Sequence, residues 1–145
     1  MLINLTSKLT DPNIKELISY AMFPDPERIE TALKQYETDE ALTLYGYEED
    51  NNIVGLIGVQ AEANDKLIIK HIAIQPENRM KGYGRGLILE LIEQSKPLII
   101  EAETDVDSVD FYRSIGFTVY SLGDLYPGVE RFRCLYEVEP EEEDN

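Results

Sequence analysis

A glycine-rich stretch is the part of this chain whose residue types most clearly suggest chemistry. Three glycines alternate with other residues over 82–86, shortly after an apolar run that ends at Ile74. Glycine lets a backbone approach a ligand without interference from a β-carbon. If a helix begins in this stretch, its first N–H groups lack intrahelical partners and carry partial positive charge. The stretch therefore predicts a site for phosphate or pyrophosphate.

The charges around the glycines favour the same interpretation. The chain has 13 Lys+Arg against 29 Asp+Glu, a net charge of −16, yet no acidic residue occurs over 78–89. Three basic residues lie in that window: Arg79, Lys81 and Arg85. A solvated basic surface would give the same pattern, so the charges support a phosphate site without requiring one.

Two other phosphate-binding loops fit less well. A P-loop needs Gly-Lys and then Ser or Thr after four spacer residues, and the sequence contains no such string. A dinucleotide fingerprint needs a third glycine at the position of Leu87. That fingerprint also normally follows the first strand of a parallel fold.

Strands and helices must position these glycines. A strand over 1–5 precedes two helices, which begin at Asp11-Pro12 and Asp25-Pro26, each with an N-cap and a proline at the first helical position. Apolar residues at helical spacing carry the first helix to Met22, before Pro24. Three strands linked by turn residues follow, over 42–47, 53–60 and 66–74.

The second half of the chain alternates between helices and strands. The glycines open a helix through about Gln94, and a buried strand covers 97–102. A further helix covers 105–115 and ends at Gly116. A hairpin over 117–122 and 130–138 closes the chain.

This order of elements predicts an α+β fold with a mixed, mostly antiparallel sheet of about seven strands. The central hairpins favour antiparallel pairing, whereas the strand–helix–strand unit over 66–102 favours a parallel crossover. Helices then cover both faces of the sheet. We expect one domain over 1–139, followed by an acidic tail over 140–145.

Composition excludes several classes of protein. No apolar run reaches the roughly 20 residues of a membrane helix, and the N-terminus lacks the pattern of a secretion signal. The net charge disfavours nucleic acid and anionic membranes as partners and favours cationic ones. The single cysteine, Cys134, suits a reducing compartment and has no Cys/His cluster around it. We expect a cytoplasmic protein that binds no metal, no nucleic acid and no membrane.

Two motifs together resemble the GNAT acetyltransferases. Ile72-Ala73-Ile74-Gln75-Pro76-Glu77, followed by Arg79-x-x-Gly82-x-Gly84, looks like the acetyl-CoA motif of that family. DVDSVDFYRSIGF over 105–117 looks like its second motif, in which a small residue precedes Phe-Tyr and Gly-Phe closes the helix. The order of elements matches the family over nearly the whole chain.

The resemblance implies how acetyl-CoA would bind. Backbone N–H groups from Met80 to Arg85 would hold the pyrophosphate, and the pantetheine arm would pair with the strand that ends at Ile74. The Ile74 N–H would stabilise the oxyanion, and Tyr112 would protonate the departing thiolate. The implied cofactor contacts are Ile72, Ile74, Arg79, Met80, Lys81, Gly82, Tyr83, Gly84, Arg85, Asp105 and Tyr112.

The chain departs from the family pattern at several positions. Asp105 replaces the usual asparagine, and Ser108 replaces the usual alanine. An aspartate can cap a helix, but it has no amide hydrogen to donate to a cofactor. Many relatives also carry a carboxylate on the strand before the glycines; here Leu67-Ile68-Ile69 offers none and is followed by Lys70 and His71.

Three side chains are candidates for the base that removes a proton from the acceptor, although an amine with a low pKa would need no direct base. His71, the single histidine, has a suitable ordinary pKa, but a lone histidine in an apolar strand is more often structural. Glu101 and Glu103 share one strand face and could act through water, although a solvent-facing carboxylate is the commoner role. For Tyr112, the alternative to the acid role is packing of its ring on the core.

We therefore predict an N-acetyltransferase that moves an acetyl group from acetyl-CoA to a primary amine of a small, cationic acceptor by direct attack on the thioester. Three tyrosines could line the acceptor site, although packing is their commoner role: Tyr45, Tyr47 and Tyr126. One alternative is a non-catalytic acyl-CoA sensor of the same fold, and another is a nucleotide-binding regulator that uses the glycines. The protein could be a monomer or a homodimer.

Overall fold

Seven strands and four α-helices form the computed structural model, which describes residues 2–139 except for the side chains of residues 125 and 126. The predicted tail over 140–145 lies outside the described residues. The strands are β1 Leu2–Asn4, β2 Leu42–Glu49, β3 Asn52–Glu62, β4 Lys66–Ile74, β5 Ile99–Asp105, β6 Thr118–Tyr126 and β7 Val129–Glu137. The helices are α1 Pro12–Ser19, α2 Pro26–Thr38, α3 Tyr83–Ser95 and α4 Val109–Ile115, and 3₁₀ turns cover Thr6–Lys8 and Pro76–Asn78.

Both predicted helix starts on Asp-Pro pairs are confirmed. Asp11 accepts a hydrogen bond from the Asn13 N–H at 2.9 Å, and Asp25 accepts one from the Glu27 N–H at 3.1 Å. A proline occupies the first helical position after each cap, where no N–H is needed.

Helix α1 is shorter than predicted, because it ends at Ser19 and leaves Ala21 and Met22 outside. The N–H of Tyr20 bonds to the Leu17 carbonyl at 3.2 Å, and the N–H of Ala21 bonds three residues back in the same way. Such tightened bonds are typical of a final helical turn. They place Tyr20 in the connection between α1 and α2.

Both central hairpins form as predicted. Their tight turns are Asp50-Asn51, with φ of 51° and 65°, and Asn64-Asp65, with φ of 65° and 56°. Two consecutive positive φ values match the twist of the flanking strands, and Asn and Asp tolerate that conformation well. The turns therefore fix the register of β2, β3 and β4.

The connection from β5 to α4 differs from the prediction. β5 continues to Asp105, and α4 begins only at Val109. The Asp105 Oδ1 accepts hydrogen bonds from the N–H groups of Asp107 and Ser108 at 3.1 and 3.2 Å. This carboxylate therefore stabilises the turn before the helix instead of capping the helix itself. Gly116 ends α4 at φ 112°, as predicted.

The strands form a single sheet in the order β1-β2-β3-β4-β5-β7-β6. The β4–β5 pair is parallel, and the other neighbouring pairs are antiparallel. Helices α1 and α2 pack on one face, and α3 and α4 pack on the other. The predicted α+β fold, with a mixed and mostly antiparallel sheet, is confirmed.

Each face of the sheet has its own apolar core. The core beneath α1 and α2 includes Ile14, Leu17, Ile18, Leu33, Leu44 and Leu56. The core beneath α3 and α4 includes Ile57, Leu87, Ile88, Leu91, Ile100 and Cys134. Full burial of one such aliphatic side chain stabilises a fold by about 1.5–3 kcal/mol, so these two layers fix the strands that carry the site.

Strands β4 and β5 separate partway along their length. Their pairing ends at Ile69 and Ala102, although β4 continues to Ile74 and β5 to Asp105. The C-terminal parts of both strands therefore face each other without ladder hydrogen bonds. We call this gap the sheet opening.

A β-bulge in β4 lies where the separation begins. Gly58 of β3 pairs with His71, and the next β3 residue, Val59, pairs with Ile69. Lys70 is therefore an additional residue on β4. A bulge bends its strand and increases its twist, which explains why β4 turns away from β5 beyond this point.

Candidate active site

A cleft of about 650 Å³ lies between the end of β4, the start of α3 and one side of α4. We call it the β4–α3 cleft. Eight predicted site residues line it: Ile72, Ile74, Arg79, Met80, Gly82, Tyr83, Gly84 and Arg85. Six residues that the prediction did not include complete the lining: Tyr20, Ala73, Asn78, Ser108, Phe111 and Ser114.

The start of α3 provides the hydrogen-bond donors of this cleft. Gly82 holds φ at 82°, a left-handed conformation that glycine adopts without strain. The bond from the Gly86 N–H to the Gly82 carbonyl, at 3.0 Å, is the first of the helix. The N–H groups of Tyr83, Gly84 and Arg85 therefore precede the helical ladder and are available to an anion.

The open edge of β4 provides a second set of backbone groups. The Gln75 N–H donates to the Val54 carbonyl of β3 at 2.9 Å. Backbone groups of successive strand residues point to opposite edges, so the N–H and carbonyl of Ile74 point away from β3. By the same alternation those of Ile72 do too. Both residues therefore present backbone groups to the sheet opening.

Arg79 covers part of this edge. Its Nε donates to the Ile74 carbonyl at 3.2 Å, and its guanidinium carbon lies 5.3 Å from the centre of the Tyr20 ring. Tyr20 thereby joins the cleft from the α1–α2 connection, which no motif in the sequence indicated. A ligand that pairs with the Ile74 carbonyl would share this acceptor with Arg79 or displace it.

Gly84 allows α3 and α4 to approach closely. A β-carbon at this position would lie 2.8 Å from Cε1 of Phe111, well inside contact distance. Phe111 lies three residues after Ser108 and three before Ser114, so all three lie on one side of α4 and line the cleft. That spacing was the sequence signal that could have identified them.

Tyr112 lies in the core and does not line the β4–α3 cleft. Its side chain is 4% exposed, and its ring packs edge-on against Phe111 and Phe117, with centres 5.1 and 5.2 Å away. Burial raises the pKa of Tyr112, so the hydroxyl keeps its proton at neutral pH. Among the described residues this hydroxyl has no hydrogen-bond partner, yet it is not sealed from solvent.

The two β5 carboxylates share one face of the sheet, as predicted, but differ in their partners. Glu101 binds Lys66 at 3.0 Å and Arg133 at 2.9 Å. Burial alone would raise the pKa of Glu101, but these two hydrogen bonds outweigh it and lower that pKa. Glu103 is half exposed and lies 3.7 Å from Arg131. Glu103 is thus the less strongly bound of the two.

His71 lies on the face covered by α1 and α2. Its Nδ1 is 2.6 Å from the Tyr36 hydroxyl, and the two rings meet edge-on. Burial and the neighbouring Lys70 lower the pKa of His71, while burial raises that of Tyr36, so both are neutral near pH 7. Because Tyr36 has no other acceptor among the described residues, we assign its O–H as the donor to Nδ1, which places the proton of His71 on Nε2. In that tautomer His71 is a donor and not a base.

Two of the three tyrosines suggested for an acceptor site pack on the core beneath α3. These are Tyr45 and Tyr47, and the ring centre of Tyr47 is 5.8 Å from that of Tyr83. A hydrogen bond to Glu49 raises the pKa of Tyr83. The side chain of Tyr126 lies outside the described residues.

The remaining predicted site residues do not line the β4–α3 cleft: Lys81, Glu103, Asp105, Tyr112 and His71. Within residues 2–139 no group of three or more His, Cys, Asp or Glu side chains is arranged to hold a metal ion. None of the helices described is long and apolar enough to cross a membrane.

Sequence comparison identifies the family. A family model of the acetyltransferase (GNAT) domain matches residues 14–124. An uncharacterized N-acetyltransferase of Bacillus methanolicus is 34% identical over 82 residues, which cover 55% of this chain and 68% of that protein.

Solved structures share the fold. A protein assigned to the GNAT acetyltransferases from Desulfovibrio desulfuricans superposes with a TM-score of 0.78 at 16% identity, covering 94% of this chain and 98% of the other. A GNAT family acetyltransferase from Elizabethkingia anophelis with acetyl-CoA bound gives a TM-score of 0.71 at 18% identity, covering 95% and 97%. At such low identity the likeness shows the architecture alone.

Proposed function

The chain belongs to the GNAT acetyltransferase family, and from this premise we propose that it transfers an acetyl group from acetyl-CoA to the primary amine of a small, positively charged acceptor. The acetyl-CoA-bound relative of the same fold supports this donor. We further propose that residues 1–139 act as a single acyltransferase domain. The single cysteine supports a reducing compartment such as the cytoplasm.

The geometry of the β4–α3 cleft is the main support for this proposal. It places unpaired N–H groups at the start of α3 next to the open backbone edge of β4. The first feature suits the pyrophosphate of acetyl-CoA, and the second suits its pantetheine arm. The pyrophosphate would bind the N–H groups over 80–85 and the cations Arg79 and Arg85. The pantetheine arm would add to β4 like a further strand and displace Arg79 from the Ile74 carbonyl.

The proposed reaction is direct transfer. The acceptor nitrogen attacks the thioester carbonyl, and the N–H groups of Ile74 or Ile72 stabilise the oxyanion that forms. The carbon–sulfur bond then breaks, the amide forms, and the CoA thiolate takes a proton. Tyr112 keeps its proton and is our candidate for that acid. For this role, the thiolate must lie next to the Tyr112 hydroxyl, at the sheet opening.

For the proton lost by the amine, Glu103 is the candidate we favour. Its contact with Arg131 is looser than those of Glu101, so a water molecule can reach its carboxylate. His71 can serve only after its proton moves from Nε2 to Nδ1, which would break the bond donated by Tyr36. The net charge of −16 supports an acceptor that carries positive charge.

A second candidate function rests on Tyr112. Because this residue is buried and does not line the β4–α3 cleft, the chain could bind acyl-CoA as a sensor without catalysing transfer. In that case the protein would bind acetyl-CoA but release no thiol with any amine.

Calorimetry with acetyl-CoA, CoA, ATP and NAD tests the proposal. We expect micromolar binding of acetyl-CoA, weakened at least tenfold by Arg85→Glu and unchanged by the control Lys34→Glu, which makes the same charge change on α2. Substituting Gly84 would be less informative, because any β-carbon there also displaces Phe111. Stronger binding of ATP or NAD than of acetyl-CoA would refute the proposed donor.

An amine screen by thiol release then separates enzyme from sensor. We expect release with at least one small amine, and a large fall in kcat for Tyr112→Phe with acetyl-CoA affinity maintained. A Tyr112→Phe protein with unchanged kcat would remove this residue from the mechanism.

A further inference from the structure

A second cleft, of about 570 Å³, lies between α2 and the bulged part of β4. We call it the α2 cleft. Lys70 and His71 line it from β4, and Thr31 and Gln35 line it from α2. The next β4 residue, Ile72, lines the β4–α3 cleft. The two clefts thus lie at neighbouring residues of β4, beside the sheet opening.

Lys70 differs from the other cations of the central strands. Lys66, Arg131 and Arg133 each pair with a β5 carboxylate at 2.9–3.7 Å. Lys70 is exposed, and among the described residues it has no carboxylate partner. In a chain with 29 acidic residues, the bulge therefore presents one free positive charge at the entrance to the sheet opening.

His71 adds a neutral donor beside this charge. Its Nδ1 is occupied by the Tyr36 hydroxyl, so the Nε2–H is the ring group left for a ligand. Gly58 keeps this arrangement possible, because a β-carbon there would collide with the Tyr36 hydroxyl. The bulge and Gly58 together fix a charged donor and a neutral donor side by side.

We propose that the acceptor carries a carboxylate, which binds the Lys70 ammonium and the His71 Nε2–H while its amine reaches the sheet opening. This inference rests on the proposed function and names its substrate class: an amino acid with a free carboxylate. One positive charge and one neutral donor match the single charge and two acceptor oxygens of a carboxylate.

The remaining charges of the α2 cleft refine this class. Asp25, Glu27 and Arg28 line it from the start of α2. Arg28 Nε lies 3.9 Å from Asp25 Oδ2, so the two acids exceed the one base and a second ammonium would be attracted there. A basic amino acid with two amines and one carboxylate combines these features, and it keeps the net positive charge that the acidic surface favours.

Matched acceptors that differ by one carboxylate test the inference. The pairs are lysine with cadaverine, ornithine with putrescine, and β-alanine with ethylamine, and lysine methyl ester masks the carboxylate of lysine. The measurement is kcat/KM at saturating acetyl-CoA, by thiol release. We expect the carboxylate-bearing member to be favoured roughly tenfold to a hundredfold, the range of charge-assisted hydrogen bonds.

Variants at Lys70 test whether this residue causes the preference for acceptors that carry a carboxylate. Lys70→Met should reduce the preference within each pair to about one, and Lys70→Arg should retain most of it. Lys34→Met removes a lysine of α2 that does not line this cleft and should leave the ratio as in the parent protein. Unchanged acetyl-CoA affinity by calorimetry verifies that each variant is folded.

The outcomes separate this inference from the proposed function. Equal kcat/KM within the pairs, or a preference that survives Lys70→Met, would overturn the carboxylate proposal and leave the acetyltransferase proposal standing. Binding of acetyl-CoA without thiol release for any amine would overturn both.

Discussion

The two clefts adjoin along β4 but offer a ligand different parts of the chain. The β4–α3 cleft presents backbone N–H and carbonyl groups, from the start of α3 and from the edge at Ile72 and Ile74. The α2 cleft presents side chains, Lys70 and His71. Backbone groups depend on the path of the chain, whereas a side-chain group disappears with one substitution. We therefore expect sterics to govern the first cleft and residue identity to govern the second.

Each cleft nevertheless depends on one glycine that makes room for an aromatic ring. Gly84 accommodates Phe111 beside the β4–α3 cleft, and Gly58 accommodates Tyr36 behind the α2 cleft. A methyl group at either glycine is thus a selective way to disturb one cleft. Gly86 provides the control, because a β-carbon there would have its nearest neighbour, the Tyr47 ring, at 3.9 Å.

Gly58→Ala should give the largest effect. The new methyl group must displace Tyr36 and break its hydrogen bond to His71, an overpacking that should lower the free energy of unfolding by about 3 kcal/mol. Urea denaturation measures this loss. Gly86→Ala should be neutral or slightly stabilising, because alanine favours a helix. A Gly58→Ala protein as stable as the parent would mean that Tyr36 does not occupy this position.

Gly84→Ala should act on the other cleft and mainly on binding. Its methyl group pushes Phe111 from α3, so we expect acetyl-CoA affinity to fall about tenfold while the free energy of unfolding falls by roughly 1–2 kcal/mol. Calorimetry and denaturation on the same preparation separate the two effects. If Gly84→Ala and Gly86→Ala bound acetyl-CoA equally well, contact between α3 and α4 would not shape the cleft.

The same contrast explains what the sequence predicted. The order of the elements and the hairpin turns follow from local signals such as glycine, proline and apolar spacing. The eight predicted lining residues of the β4–α3 cleft are those implied by the resemblance of its motif to the family's acetyl-CoA motif. The α2 cleft follows from neither source, because the bulge that sets Lys70 apart depends on the pairing of β3 with β4. The hydrogen bond between Tyr36 and His71 joins residues 35 positions apart, which no local pattern reveals.

The bounds of β5 and α4 were wrong for a related reason. Asp105 was assigned to the helix because aspartate is a common N-cap, but pairing with Arg131 of β7 extends the strand through this residue. Likewise, the burial of Tyr112 depends on Phe117 and the β7 side chains. The motif places Tyr112 on a helix but does not fix which side of that helix faces the β4–α3 cleft.

The pH dependence of stability should report on the α2 cleft. The pKa of His71 is lowered in the folded state by burial and by Lys70, relative to about 6.5 when unfolded. Between these two values the unfolded chain binds more protons, so the free energy of unfolding falls as pH decreases through about 6.5. Denaturation at a series of pH values between 5 and 8 should show a shallower slope for His71→Gln. Equal slopes would mean that His71 is not desolvated.

The smallest effect we predict distinguishes Arg85 from Lys81, two basic residues for which the sequence analysis predicted the same role. Arg85 lines the β4–α3 cleft and Lys81 does not, so only the first should pair directly with a bound phosphate. Arg85→Met should weaken acetyl-CoA binding several-fold and reduce its dependence on salt, because one exposed ion pair contributes only about 0.2–1 kcal/mol. Lys81→Met should change the affinity less than twofold. If calorimetry at low and high salt gave the two variants equal losses, the cations would act through the overall field near α3, and Arg85 would make no direct contact with the phosphate.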